Sequence, residues 1–116
     1  MGNIVSPRIQ LRLNQNDESH IQLIRLLEYS GGSTQTARNK SFLFKAEIIA
    51  SSAAIKYTDI QYHHDGQPRN DIPWRMSINK ECNPNLLRIL ERTETSVTSV
   101  FFTNLFVRFA DIIEND

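Results

Sequence analysis

Residues 7–14 read PRIQLRLN, and this short stretch decides the fold. Its apolar and polar residues alternate strictly, with Ile9, Leu11 and Leu13 on one side and Arg8, Gln10 and Arg12 on the other. A period of two is typical of a β-strand that buries one face and exposes the other. The polar residues 14–17 then end the strand and suit the start of a helix.

Helical patterns fill much of the remaining chain. Residues 17–29 carry a broad apolar face, and Gly31 and Gly32 favour a helix end because glycine tolerates the left-handed conformation. Residues 33–40 are expected to form a polar linker. Apolar residues at helical spacing then predict a second helix over about 41–57.

The C-terminal half is predicted to be helical as well. Turn-forming residues within 58–78 indicate a long loop with at most one short strand. Asn83 as an N-cap and Pro84 at the first helical position predict a third helix. A last helix, expected to begin near residue 95, carries a run of phenylalanines.

The composition sets the broad class of protein. A length of 116 residues fits one domain, or a small domain with an extension. The formal net charge is zero, which does not favour a nucleic-acid binder. The distribution of charge along the chain, however, suits an N-terminal half that faces DNA. Residues 1–60 carry seven Lys and Arg against five Asp and Glu, whereas residues 61–116 carry six against eight.

Several classes of protein are not expected. The one cysteine, Cys82, excludes a disulfide within the chain, and no secretory signal opens the sequence. Residues 97–113 are too polar to span a bilayer, so a cytoplasmic protein without membrane attachment is expected. His63, His64 and Asp65 stand at no zinc spacing, and no catalytic motif is present. We therefore expect no enzyme, no metal site and no cofactor.

The N-terminal strand poses a pairing problem. Its backbone N–H and C=O groups need partners, and no second strand of similar quality follows in the sequence pattern. Pairing with the same strand of a second copy would produce an antiparallel ribbon with two-fold symmetry. The sequence therefore predicts a homodimer in which Arg8, Gln10, Arg12 and their symmetry mates share the exposed face.

Such a face suits DNA recognition. A two-stranded ribbon fits the major groove, where arginine pairs with guanine O6 and N7 and glutamine with adenine N6 and N7. The start of the second helix is expected to hold a phosphate, through residues at or beside its first turn: Arg38, Asn39, Lys40, Ser41 and Lys45. The alternative reading is a solvated edge strand whose charges discourage aggregation.

The order of these elements resembles the ribbon-helix-helix superfamily over residues 7–57. Within it, three segments are similar to ParR, the centromere-binding adaptor of plasmid partition systems driven by an actin-like ATPase. They are IQLRLN at 9–14, IQLIRLLE at 21–28 and ARNK at 37–40, which leads into an alanine-rich helix.

The resemblance implies a fold and a mechanism. The fold is mainly α with one short N-terminal β-strand: an intertwined ribbon-helix-helix dimer over 1–57, with a C-terminal helical extension over 58–116 for assembly or partner binding. Dimers would bind repeated sites in double-stranded DNA and stack into an array. The array would then couple the plasmid to an actin-like ATPase filament.

Two questions stay open at this stage. Phe102, Phe106 and Phe109 are either anchors for the filament protein or ordinary core residues. The protein is either the partition adaptor or another ribbon-helix-helix regulator, such as a transcriptional repressor, an antitoxin or a relaxosome accessory protein. A third possibility is a small interaction protein whose ribbon serves only to dimerise it.

Overall fold

The computed structural model describes residues 7–29, 31–52, 69–92 and 98–115. The elements in these ranges follow one another as β1 (Arg8–Asn14), α1 (Glu18–Tyr29), α2 (Gln35–Ala50), β2 (Asp71–Ser77), α3 (Pro84–Arg92) and α4 (Thr98–Glu114). The fold is mainly helical, as the sequence predicts. The short sheet, however, holds two strands rather than one.

β1 pairs with β2 of the same chain. The two strands run antiparallel over their full length, from the pair Arg8 and Ser77 to the pair Asn14 and Asp71. Further backbone bonds, Ile78 N–H to Pro7 O and Gln15 N–H to Asn70 O, extend the ladder at both ends. The expectation that β1 has no pairing partner within the chain is therefore wrong.

The second strand is hidden in the sequence by its proline. Ile72, Trp74 and Met76 alternate with polar residues, but Pro73 interrupts the pattern and argues against a strand. In the structure Pro73 stands opposite Arg12, whose own N–H points away from β2. No ladder bond is needed at that pair, so β2 accommodates a residue without an N–H group.

The inner face of the sheet covers one hydrophobic core. Ile9, Leu11 and Leu13 are buried there, and residues from both halves of the chain complete the core. The regions that the sequence divides at residue 57 therefore share a single core. On the far side, Phe106 packs edge-on against Phe42 with ring centroids 5.2 Å apart.

The phenylalanines of α4 belong to this core. Phe102, Phe106 and Phe109 are all fully buried, and the ring centroids of Phe102 and Phe106 lie 5.8 Å apart. Of the two roles that the sequence left open, the structure shows the core role. Their proposed use as partner anchors does not fit, because none of the three rings reaches the surface.

The edge of β1 that does not pair with β2 is hydrogen-bonded to two helices. The N–H of Arg12 donates to Thr103 Oγ1 on α4 at 3.0 Å, and the N–H of Asn14 donates to His20 Nδ1 on α1 at 2.8 Å. Pairing β1 with a second copy along this edge would break both hydrogen bonds. With β2 on one edge and two helices on the other, β1 has partners within its own chain. A dimer is therefore not needed to pair this strand.

Helix α2 starts earlier than predicted. Thr34 is its N-cap, accepting a hydrogen bond from the Ala37 N–H at 3.1 Å, so the expected linker at 33–40 is mostly helix. Its polar first turns carry no apolar stripe, which is why periodicity missed them. The helix ends at Ala50 with Ser51 as C-cap, and residues 53–57 of the predicted helix lie outside the described residues.

The turn between α1 and α2 depends on glycine, as predicted. Gly32 has φ of +119°, a conformation that L side chains rarely adopt. A Cβ there would also lie 2.7 Å from the Cβ of Ala37. The glycine pair therefore sets where α2 begins.

Helix α3 begins at Pro84, as predicted, but its N-terminus is capped from another helix. The Glu47 carboxylate on α2 accepts hydrogen bonds from the N–H groups of Asn85 and Leu86 at 3.1 Å. Asn83 instead uses its Oδ1 to accept from the Asn79 N–H. A long-range contact thus performs the capping role that the sequence assigned to Asn83.

A disulfide trap tests the intrachain ribbon. Arg8 and Ser77 face each other at a pair without ladder bonds, where Cα atoms stand about 4.5 Å apart, close enough for a disulfide. With Cys82→Ser as background, Arg8→Cys plus Ser77→Cys is expected to oxidise within one chain. A non-reducing gel then shows a monomer band; the single variant Arg8→Cys is the control. A disulfide-linked dimer from both would show that β1 pairs with a second copy.

Candidate nucleic-acid interface

The outer face of the ribbon carries a group of polar side chains that we call the basic face: Arg8, Gln10, Arg12 and Arg75. All four alternate with the buried residues of their strands, so the pleat turns them away from the core. The three arginines are exposed and the glutamine is half-buried. The polar face predicted for β1 is thus present, and β2 widens it.

Side chains on this face are linked across the strands. Gln10 pairs with Arg75, and the Arg75 Nε–H donates to Gln10 Oε1 at 3.2 Å. Among the described residues, this bond leaves the two terminal nitrogens of Arg75 and the amide nitrogen of Gln10 available to a ligand. The pair is therefore oriented and still able to donate to a ligand.

Carboxylates of the described residues do not neutralise the charge of the face. In the parts of the chain that the structure describes, Arg8, Arg12 and Arg75 form no ion pair. Asp71, at one end of the face, is held by Arg69 at 3.0 Å. The basic face is thus electropositive even though the chain as a whole has no net charge.

Arg75 is the residue of this face that the sequence reading missed. The alternation typical of a strand was present in the sequence. Ile72, Trp74 and Met76 occupy alternate positions, which places Arg75 on the other face. The signal was masked by Pro73 and by the turn-forming residues that precede the strand. Only the pairing with β1 shows that Arg75 lies beside Gln10.

Asn39 does not have the surroundings that the sequence predicts for a phosphate contact. It is buried, its Nδ2 donates to the Arg75 carbonyl at 3.2 Å, and its Oδ1 accepts from the Trp74 indole N–H at 2.9 Å. Both ends of its amide are therefore used to hold α2 against β2. The predicted helix start near Asn39 is also wrong, so the backbone amides of 39–41 lie within α2 rather than at its open end.

The other predicted phosphate contacts divide into two groups. Arg38 is half-buried and its Nε–H donates to the Gly32 carbonyl at 3.2 Å, while Ser41 is half-buried on the same helix. Lys40 and Lys45 are exposed. Of these residues, the structure brings Lys40 close to the ribbon.

Lys40 meets the ribbon at a cleft between α2 and the strands. The cleft has a volume of about 220 Å³, and eight residues line it: Arg8, Thr36, Asn39, Lys40, Leu43, Arg75, Met76 and Ser77. Arg8 and Arg75 belong to both the cleft and the basic face. The cleft is thus continuous with the face that the sequence predicted to read bases.

The remaining constellations of the sequence give no site among the residues described. His63, His64 and Asp65 lie outside them, and Cys82 is exposed. The described ranges contain no group of three or more His, Cys, Asp or Glu side chains that could hold a metal ion. Within the same ranges, no helix combines the length and apolar character needed to cross a bilayer.

Comparison with protein-family models, curated proteins and solved structures gives no match for this chain. The resemblance to ribbon-helix-helix proteins therefore stays a prediction.

Replacing Asn39 tests the junction beneath the basic face. Asn39→Ala leaves the half-buried Trp74 indole N–H without its acceptor and frees the Arg75 carbonyl, so we expect a loss of about 1–3 kcal/mol in the free energy of unfolding. Trp74 is the one tryptophan of the chain, so its emission spectrum reports the change directly. Lys45→Ala, on an exposed position of the same helix, should change neither quantity in urea titrations. Equal stability of the two variants would show that the junction contributes nothing.

Proposed function

We propose that this protein is a non-enzymatic, sequence-specific binder of double-stranded DNA, and that the basic face enters the major groove. One observation carries the proposal: three exposed arginines and a glutamine lie together on the open face of an antiparallel two-stranded ribbon. A ribbon of this width fits the major groove of B-DNA. Arginine and glutamine are also the side chains that pair bidentately with guanine and adenine.

The geometry favours this reading over that of a protected edge strand. Charged side chains discourage aggregation where a strand edge is open. Here α1 and α4 bond to the free edge of β1, while Asn39 bonds to the outer edge of β2 and Pro73 offers no donor there. Because both edges are already blocked in this way, edge protection does not explain three arginines on the open face.

The wider role that we propose is that of a plasmid partition adaptor, and it rests on the resemblance of residues 9–40 to ParR. In this role the protein acts in the cytoplasm, binds repeated DNA sites, assembles into a higher-order array and recruits an actin-like ATPase filament. A transcriptional repressor, antitoxin or relaxosome accessory protein is the alternative with the same DNA chemistry. Neighbouring genes separate them, since partition requires an actin-like ATPase gene and tandem repeats nearby.

The proposed protein is a homodimer whose contact lies outside β1. One chain already supplies both strands of the ribbon, so a dimer no longer follows from an unpaired β1. A dimer would need another surface, and α2 exposes two large apolar side chains one turn apart, Phe44 and Ile48. Sedimentation of the free protein and of its DNA complex gives the number of chains per site.

Substitutions on the basic face test the proposed function. A preferred duplex is first selected from a randomised DNA pool with the wild-type protein. Arg12→Ala is then expected to cost about 1–3 kcal/mol in binding to that duplex and to relax its preference at one base position. The combined variant Arg8→Ala, Gln10→Ala and Arg12→Ala is expected to lose selection altogether.

Arg25→Ala provides the matched control. Arg25 is exposed on α1 beside Glu18 and Glu114, away from the basic face, so its removal should leave affinity and base preference unchanged. Binding should weaken as salt concentration rises, because phosphates shed counterions on neutralisation. If the triple variant still selects the same sequence, the basic face does not read DNA. If no duplex is selected at all, the result favours the remaining possibility, a small interaction protein whose ribbon serves only to dimerise it.

A further inference from the structure

We infer that the cleft between α2 and the ribbon binds one phosphate group of the DNA backbone. This inference rests on the proposed function, and it assigns to the cleft a task different from base reading. Phosphate contacts fix the position of a protein on a duplex, whereas base contacts select the sequence. The cleft would therefore set how the basic face sits in the groove.

The lining of the cleft suits an anion. Three cationic side chains surround it, from three different elements: Arg8 on β1, Lys40 on α2 and Arg75 on β2. No carboxylate is among its lining residues. In the described parts of the chain, none of the three cations is engaged in an ion pair. An anion in the cleft would thus meet three positive side chains and no competing carboxylate among the described residues.

The remaining lining residues complete a phosphate-compatible surface. Thr36 and Ser77 add hydroxyl groups that can donate to phosphate oxygens, and the buried Leu43 and Met76 close the bottom. Thr36 also lies in the first turn of α2, where the helix dipole is positive. This helix end only adds to a field that the three cations already produce.

The cleft is held open by structure rather than by the ligand. Asn39 bonds to the backbone of Arg75 and to the ring of Trp74, and these two hydrogen bonds fix the register of α2 against β2. Lys40 follows Asn39 directly, and its distance from Arg75 is therefore set by the same junction. A preformed site costs less ordering on binding than one assembled from mobile loops.

Its place beside the basic face identifies the source of the phosphate. Arg8 and Arg75 line the cleft and also stand on the face that would enter the major groove. The groove is bounded on both sides by sugar–phosphate backbone, so a backbone phosphate is the anion that a docked ribbon brings to this position. The planar guanidinium group of arginine and the compact ammonium group of lysine both bind phosphate oxygens.

A titration with inorganic phosphate tests the cleft without DNA. At constant ionic strength, amide resonances of Thr36, Lys40 and Arg75 are expected to shift saturably in ¹H–¹⁵N spectra. Lys40→Gln should abolish the saturation. Arg25→Gln, an equal charge loss on an exposed position of α1, should leave it intact. Shifts that are equal in both variants, or that never saturate, would overturn the site.

The salt dependence of DNA binding tests the role of the cleft in the complex. Lys40→Gln should reduce the slope of log affinity against log salt by about one and leave base preference unchanged. Arg25→Gln, on α1, should keep the wild-type slope. An unchanged slope for Lys40→Gln, with selection by the wild type intact, overturns the cleft but not the reading face.

Two further outcomes separate the inference from the proposed function. Saturable phosphate binding in a protein that selects no duplex DNA rejects the proposed function and DNA as the source of the phosphate. A Lys40-dependent salt slope seen with duplex RNA and absent with DNA overturns the assignment to DNA. The expected result is saturation by phosphate together with a reduced slope on DNA alone.

Discussion

The pairing of β1 with β2 is the constraint on which the rest of this structure depends. It joins segments that lie between 57 residues (Asn14 and Asp71) and 69 residues (Arg8 and Ser77) apart in sequence, and it gives β1 the hydrogen-bond partners that a buried strand requires. The same pairing turns Ile9, Leu11 and Leu13 onto the core and the polar residues outward. The hydrophobic core and the basic face are thus two consequences of one register, and a slip by one residue would exchange them.

Hydrogen bonds to helices along both edges of the ribbon leave its outer face as the open surface. Thr103 and His20 accept the N–H groups of Arg12 and Asn14 on one edge, and Asn39 donates to the Arg75 carbonyl on the other. Each helix that packs against the sheet therefore also blocks an edge from pairing with another chain. The basic face stays open, and its arginines form no ion pair among the described residues. Such a surface is compatible with a nucleic-acid ligand.

Helix α2 connects this ribbon to the C-terminal half. Asn39 holds it to β2, Phe42 packs on Phe106 of α4, and Glu47 caps the N-terminus of α3. Its exposed side carries Lys40 beside the cleft, so the residue that would hold a phosphate is fixed by the same helix that organises the core. The residues of α2 that organise the core are therefore buried, whereas Lys40, for which we propose a phosphate contact, is exposed on the same helix.

The sequence by itself determined β1, its two faces and the existence of the helices, because these follow from local periodicity. It also predicted the glycine turn, because the positive φ angles of Gly31 and Gly32 are a local property of glycine. Tertiary structure decided what is non-local: that β2 pairs with β1 despite Pro73, that Glu47 caps α3, and that the α4 phenylalanines are core. Arg75 became part of the candidate site for the same reason, since a residue's neighbours across a sheet depend on strand pairing and cannot be read from spacing along the chain.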